Sequence, residues 1–214
     1  MDLFADTAPH TGTEALAPGA VVLRGFALDD QHDLLAAVDA ITAQSPFRHL
    51  VTPGGHTMSV AMTNCGRLGW VSDRRGYRYD AIDPLNGQPW PSMPALFADL
   101  ADRAAAAAGF EGFKPDACLV NRYEPGARLT LHQDRDEGNY AHPIVSVSLG
   151  VPATFLFGGD QRADKQQRVP LVHGDVVVWG GPSRLRYHGV QPIKAAQHPL
   201  LGELRINLTF RKAS

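Results

Sequence analysis

Cysteine is scarce in this chain. Two residues in 214, Cys65 and Cys118, cannot make a disulfide framework, so a hydrophobic core must carry the fold, and reduced thiols in a cytoplasmic setting are expected. Apolar runs long enough to cross a bilayer are missing, which argues against membrane-spanning helices. The start, Met1-Asp2-Leu3-Phe4-Ala5-Asp6, lacks the basic stretch and apolar run of a secretory leader. Dominant charge is absent as well. A net charge of -2 excludes a broad electrostatic grip on nucleic acid, so any polyanion would be held locally and through few phosphates. Arg67, Arg74, Arg75 and Arg78 form one candidate patch and Arg162, Lys165 and Arg168 another, although a pair such as Arg74-Arg75 is most often a solvated face.

What is present suits one compact domain. Apolar residues make up 44% and charged residues 20%, ordinary values for a globular chain of a length that buries a sizeable core. Asp29-Asp30 can cap a helix whose Leu34, Leu35, Val38 and Ile41 share a face and which stops before Pro46. Pro94 can open a second, carrying Leu96, Phe97, Leu100, Ala104 and Ala107 to Gly109. From Ala117 onward short runs recur: Cys118 to Tyr123, Leu129 to Asp134, Ile144 to Leu149, Thr154 to Phe157, Val169 to Val172, Val176 to Trp179, Leu185 to Val190 and Leu204 to Arg211. Strands of this length, punctuated by Gly, Pro, Asn and Asp, predict a mainly β fold with flanking helices, built as a closed or double-sheet core.

The chemistry concentrates in His132-Gln133-Asp134 and the distant His188. If Leu129 to Asp134 is a strand, His132 and Asp134 project from one face. A histidine from another strand then completes a two-histidine, one-carboxylate set, which favours non-haem Fe(II) and leaves positions open for substrate and oxygen. The triplet alone is weak, because such spacing arises by chance and an isolated histidine is usually just hydrogen-bonded. A rival, His173-Gly174-Asp175, carries a central glycine and runs straight into Val176-Val177-Val178-Trp179; there Asp175 reads as a turn cap rather than a ligand. His142, before Pro143, reads as a surface or hinge residue, and His10, His32, His49, His56 and His198 have no comparable spacing.

The segment Arg205-Ile206-Asn207-Leu208-Thr209-Phe210-Arg211 alternates polar and apolar without exception. It is either a strand with one wet face or a strand whose polar face lines a cavity. In the second case Arg205 and Arg211, roughly 20 Å apart along the strand at about 3.3 Å per residue, could each grip a carboxylate. A short dicarboxylate would suit them.

Together with Asn121-Arg122-Tyr123-Glu124-Pro125-Gly126, these residues resemble the AlkB alkylation-repair dioxygenases. The resemblance runs from about Leu16 to Arg211 and extends to Pro53-Gly54-Gly55, to the segment from Met58 to Gly66 and to the segment from His173 to Gly181, features of the bacterial branch. It implies a double-stranded β-helix, or jelly roll, with a nucleotide-recognition lid: a single domain over 1-214, with an extension and lid at about 16-92 and a catalytic core at about 116-211. It implies iron held by His132, Asp134 and His188, with 2-oxoglutarate and O2 as co-substrates. Arg205 and Asn207 would hold the distal carboxylate of 2-oxoglutarate, Arg211 would lie near its chelating end, and Asn121 and Tyr123 would add hydrogen bonds.

For the substrate the resemblance implies a flipped base between Trp70 and His132, with Tyr77 on the same lid. A base made cationic by methylation at N1 of adenine or N3 of cytosine would be favoured by the aromatic face and by Asp136. Met62, Thr52, Gln133 and Arg162 are secondary contacts. Hydroxylation of the methyl group would release formaldehyde and restore the base, in single- or double-stranded DNA or in RNA, by a monomeric enzyme. Two alternatives stay open: an oxygenase of the same kind acting on a protein or small molecule, and a non-catalytic jelly-roll module.

Overall fold

The structure, a computed structural model, describes residues 11–214; the amino-terminal stretch inspected for a leader and His10 lie outside them. In chain order the elements are β1 (Gly12–Ala17), β2 (Ala20–Arg24), α1 (Gln31–Gln44), β3 (Arg48–Val51), β4 (Thr57–Gly66), β5 (Gly69–Asp73), β6 (Gly76–Asp80) and α2 (Ala95–Ala107). The second half holds β7 (Ala117–Tyr123), β8 (Leu129–His132), β9 (Ile144–Gly150), β10 (Ala153–Phe157), β11 (Gln167–Leu171), β12 (Val176–Trp179), β13 (His188–Val190) and β14 (Arg205–Arg211).

Two sheets pack face to face as a jelly roll. The larger has eight strands in the order β1-β2-β12-β9-β14-β7-β4-β3, and the smaller has four in the order β11-β10-β13-β8. Strand β14 shows why the layers form. Its Ile206, Leu208 and Phe210 join a core that includes Leu34, Val38 and Ile41 of α1 and Phe97, Leu100 and Ala104 of α2, with Phe97 edge-on to Phe210 at 5.7 Å. Its other face turns inward between the sheets, where Val22, Val177 and Trp179 of the large sheet meet Phe155, Phe157, Val169 and Leu171 of the small one. All seven β14 residues are buried. The wet-face reading of Arg205 to Arg211 is therefore excluded, and its polar side lines the interior.

Several expectations need correction. Strand β8 ends at His132 rather than running to Asp134. Asp30 sits at the α1 cap position without a side-chain cap bond; its carboxylate accepts instead from Arg103 of α2 at 2.7 Å. The amino-terminal part is more than an appendage, because β2 pairs with β12 and β4 pairs with β7, so both are strands of the large sheet. Between β4 and α2 the chain leaves the sheet to form the β5–β6 hairpin and returns where the Gly66 N–H donates to the Pro91 carbonyl at 2.8 Å. Gly69 is required there, since a Cβ would meet the Trp90 ring at 2.3 Å.

Candidate active site

The inner ends of β8 and β13 bring the two histidines together. His132 and His188 are register partners, with ring centroids 4.4 Å apart. A bulge follows His188, and Gly189 lies so close to β8 that a Cβ would meet the Leu129 carbonyl oxygen at 2.8 Å. Each imidazole donates its Nδ1–H to a backbone carbonyl two residues back, His132 to Thr130 at 2.8 Å and His188 to Arg186 at 3.0 Å. Those bonds fix the tautomer and leave both Nε2 lone pairs free to point at a common centre.

Asp134 completes the cluster from the segment beyond β8. Its Oδ1 lies 3.6 Å from His132 Nε2 and its Oδ2 lies 3.7 Å from His188 Nε2, and the three ligand atoms fall within 4.8 Å of one another. With no strand ladder to orient it, the carboxylate is held by Arg211, whose Nε and Nη2 donate to Oδ2 at 3.0 and 2.6 Å. Burial opposes the charge on Asp134, but the Arg211 guanidinium outweighs it and holds the carboxyl well below the usual range. Burial, followed by the neighbouring His132, pushes the His188 imidazole down to about 4, so it stays neutral and able to ligate at physiological pH.

Behind Asp134 lies a charged network that sequence reasoning missed. Glu137, 5% exposed, accepts from Arg184 Nη2 at 3.1 Å and from the Tyr79 hydroxyl at 2.6 Å, and its Oε1 lies 3.4 Å from Arg211 Nε. Arg184 also donates to the Asp134 carbonyl at 2.7 Å and to the His142 carbonyl at 3.0 Å. Glu137 stands in a polar stretch that reads as a solvated loop, and only arginines distant in sequence reveal its burial.

From this cluster a polar stripe runs along the inner face of the large sheet. Asn121 and Tyr123 of β7 face Asn207 and Arg205 of β14 in register, and Ser148 and Ser146 of β9 flank them. Asn207 donates to Ser146 Oγ at 2.8 Å and to the Val147 carbonyl at 2.9 Å, and it accepts from Thr209 at 2.9 Å. Arg205 is 2% exposed and lies over the Tyr123 ring at 5.7 Å. It donates to Ser148 Oγ at 3.1 Å, yet its Nε has no partner and no carboxylate among the described residues pairs with it. Asn121 Oδ1 and Trp179 Nε1 are orphaned in the same interior. A buried cation without a counter-charge is costly, so this stripe is chemically incomplete without an anion. The two arginines thus differ: Arg211 already grips an internal carboxylate, whereas Arg205 is free to take an external one.

The β5–β6 hairpin carries the aromatic pair. Trp70 and Tyr77 stack at 5.5 Å with 13° between planes, and Tyr77 is 47% exposed. The Trp70 indole N–H donates to Asp136 Oδ2 at 2.8 Å, so two groups expected to read a base engage each other here. The remaining candidates are dispersed. Met62 is 2% exposed in the inter-sheet core and is the register partner of Asn121. Thr52 accepts from the His56 N–H at 3.1 Å in the β3–β4 turn. Arg162 donates to the Leu131 carbonyl at 2.6 Å and lies over the Tyr187 ring, while Gln133 donates to the Leu185 carbonyl at 2.6 Å. In the arginine patch, Arg75 and Arg78 both bind Asp73. Asp175 accepts from the Gly25 and Val172 N–H groups and from Arg24, so it is indeed a turn-capping carboxylate.

Two imidazoles and one carboxylate would supply half the ligands of an octahedral metal and leave the other positions open, the donor set used by non-haem iron oxygenases. Residues 19–211 match the model of the 2OG-Fe(II) oxygenase superfamily, and the enzyme class follows: an iron oxygenase using Fe(II), 2-oxoglutarate and O2. Within that class the chain belongs to the AlkB family of alpha-ketoglutarate-dependent dioxygenases. It is 61% identical over 214 residues to alpha-ketoglutarate-dependent dioxygenase AlkB of Salmonella typhimurium, covering 100% of this chain and 98% of the relative. With AlkB of Escherichia coli K12 the identity is 59% over 213 residues, with the same two coverages. The solved structure of OsALKBH1 matches at a TM-score of 0.83 and 32% identity, covering 94% of this chain and 100% of that one.

Proposed function

We propose that this dioxygenase removes alkyl groups from ring nitrogens of nucleic-acid bases, with 1-methyladenine and 3-methylcytosine in DNA, and also in RNA, as substrates. The observation that carries the co-substrate half is Arg205, a buried guanidinium that no carboxylate among the described residues pairs with, on the polar stripe that leads to the His132, Asp134 and His188 cluster. One carboxylate of 2-oxoglutarate satisfies it, with Asn121, Tyr123 and Asn207 lining the same face. Fe(II) fits the cluster, because both histidines present Nε2 lone pairs and Asp134 is ionised. When bound, iron and 2-oxoglutarate supply, with O2, the oxidising power that inserts oxygen into the N-alkyl group, leaving succinate and CO2.

The chain's own groups do the rest. His132 and His188 stay oriented through their carbonyl contacts, and Arg211 keeps the Asp134 carboxylate turned toward them. The half-buried indole of Trp70, backed by Tyr77, offers a stacking face for an extruded base. Asp136 exchanges its contact with the Trp70 N–H for one with the cationic base, so damage is recognised as charge. Arg162, Thr52 and Gln133 serve as secondary contacts along the path of the strand, while Met62 lies in the inter-sheet core behind the site. One chain supplies every proposed ligand, which favours a monomer. Cys65 and Cys118 are direct register partners yet remain free thiols, in keeping with the reducing cytoplasm. Residues 16-92 act as extension and lid and 116-211 as catalytic core within one domain.

Formaldehyde release from short DNA and RNA oligomers bearing 1-methyladenine or 3-methylcytosine tests this directly. Release that depends on Fe(II) and 2-oxoglutarate is expected. Stimulation by a peptide or free metabolite, with none by the oligomers, would replace the substrate class while leaving the oxygenase chemistry intact.

A further inference from the structure

The hairpin touches the segment after the proposed metal carboxylate through two side chains, and the two contacts are unlike. Trp70 and Tyr79 are register partners across β5 and β6. Trp70 donates to Asp136, which is exposed, and Tyr79 donates to Glu137, which is buried between two arginines. The first contact lies at the exposed side, where the proposed base would stack on Trp70. The second faces inward, and its acceptor oxygen, Oε1, is the one that also approaches Arg211.

We propose that Tyr79 and Glu137 are positioning residues for Asp134, acting through Arg211. The inference rests on the reading of Asp134 as an iron ligand. Arg211 Nε stands between two acids, 3.0 Å from Asp134 Oδ2 and 3.4 Å from Glu137 Oε1. The Tyr79 hydroxyl satisfies part of the Glu137 Oε1 charge, and Arg184 satisfies Oε2, so Glu137 competes only weakly for Arg211. Without the hydroxyl, Glu137 draws on Arg211 more strongly and the two bonds that orient Asp134 loosen. Asp134 has no ladder of its own, because β8 ends at His132. Its orientation is therefore unusually dependent on this chain of contacts. The position of the lid hairpin and the geometry of the metal site are coupled through Tyr79, Glu137 and Arg211.

The test is metal binding by the full-length apoprotein, followed by calorimetric titration with Mn(II), a readout independent of turnover. Tyr79→Phe keeps the ring and removes the hydroxyl; Glu137→Gln keeps an acceptor and removes the charge. Tyr79→Phe should lower Mn(II) affinity by about 10- to 100-fold, the range seen when a partner of a metal ligand is lost. Glu137→Gln, by contrast, removes the competitor for Arg211, should bind Mn(II) as the parent does and should restore the affinity in the double variant. Trp70→Phe breaks the other hairpin contact and should bind Mn(II) as the parent does. Parent-like affinity in Tyr79→Phe, or an equal loss in Trp70→Phe, overturns the proposal. Asp134→Ala separates the two levels: if it too binds Mn(II) like the parent, the ligand assignment itself fails. Should Glu137→Gln fail to fold, Tyr79→Phe decides alone, since its change lies on a hairpin outside both cores.

Discussion

His132 and His188 oppose each other as antiparallel register partners, and Gly189 lets their strands close to within a distance that no side chain would permit. The spacing of two candidate metal ligands is thus fixed by main-chain pairing. The third, Asp134, is fixed by a salt bridge to Arg211.

Asp134→Ala should abolish iron-dependent succinate formation while circular dichroism shows a folded protein, because the buried carboxylate beside it, Glu137, is already held by Arg184 and Tyr79. Gly189→Ala should also weaken metal binding by separating β8 from β13. His173→Ala should leave turnover near the parent level; its loss without unfolding would mean that the wrong histidines have been assigned.

Arg205→Ala should leave the bound carboxylate of 2-oxoglutarate in a buried site without its cation, a cost of about 2 to 5 kcal/mol. Competition or calorimetric measurement of 2-oxoglutarate affinity checks this. Affinity equal to the parent would mean that the orphaned guanidinium answers some other anion.

Much of this was legible in the sequence, and what was not has physical causes. The carboxyl-terminal strands announce themselves because most are buried on one or both faces and bounded by turn residues, as in β7, β9, β12 and β14. Strands β1 and β3 do not, since Gly12–Ala17 is largely exposed and Arg48–Val51 only half-buried, at the two edges of the large sheet. Strands β5 and β6 are short and rich in charge, so they read as a loop. In the site, spacing finds His132 and Asp134, and strict alternation finds Arg205 and Arg211. Glu137 and Tyr79 leave no local signal, because their burial depends on partners 47 to 74 positions away.

Stacking on an aromatic face contributes roughly 1 to 3 kcal/mol per base, so Trp70→Ala should reduce use of a methylated oligomer by about 5- to 150-fold. Slow decarboxylation of 2-oxoglutarate without oligomer should be spared. With about three phosphate contacts on a single strand, log affinity should fall against log salt with a slope near -2; a slope several times steeper would point to a far broader phosphate interface.

His173 gives a pH prediction away from the metal. Its Nδ1 accepts the Gly150 N–H at 2.8 Å and its Nε2 meets Gln31 Oε1 at 3.0 Å. Burial, together with His198 and His32, pushes it down to about 4. The unfolded chain takes up this proton near pH 6.5 while the folded one does not. Its contribution is therefore intact above about pH 6.5 and is lost progressively as pH falls toward 4. In His173→Asn the pH dependence of denaturant-derived stability across that window should be shallower by about one proton. An unchanged slope would show that His173 does not titrate this way.

The hydrogen bond between Gly66 and Pro91 draws together the two ends of the excursion that carries Trp70 and Tyr77. Such an insert behaves like a cassette: its sequence can be exchanged between relatives at that neck without breaking a strand of the main sheet. Substrate scope can therefore diverge faster than the oxidising chemistry, subject to one constraint. On the proposed coupling, a replacement cassette would have to bring a hydroxyl to Glu137, as Tyr79 does here, or be accompanied by a compensating change in the network around Asp134.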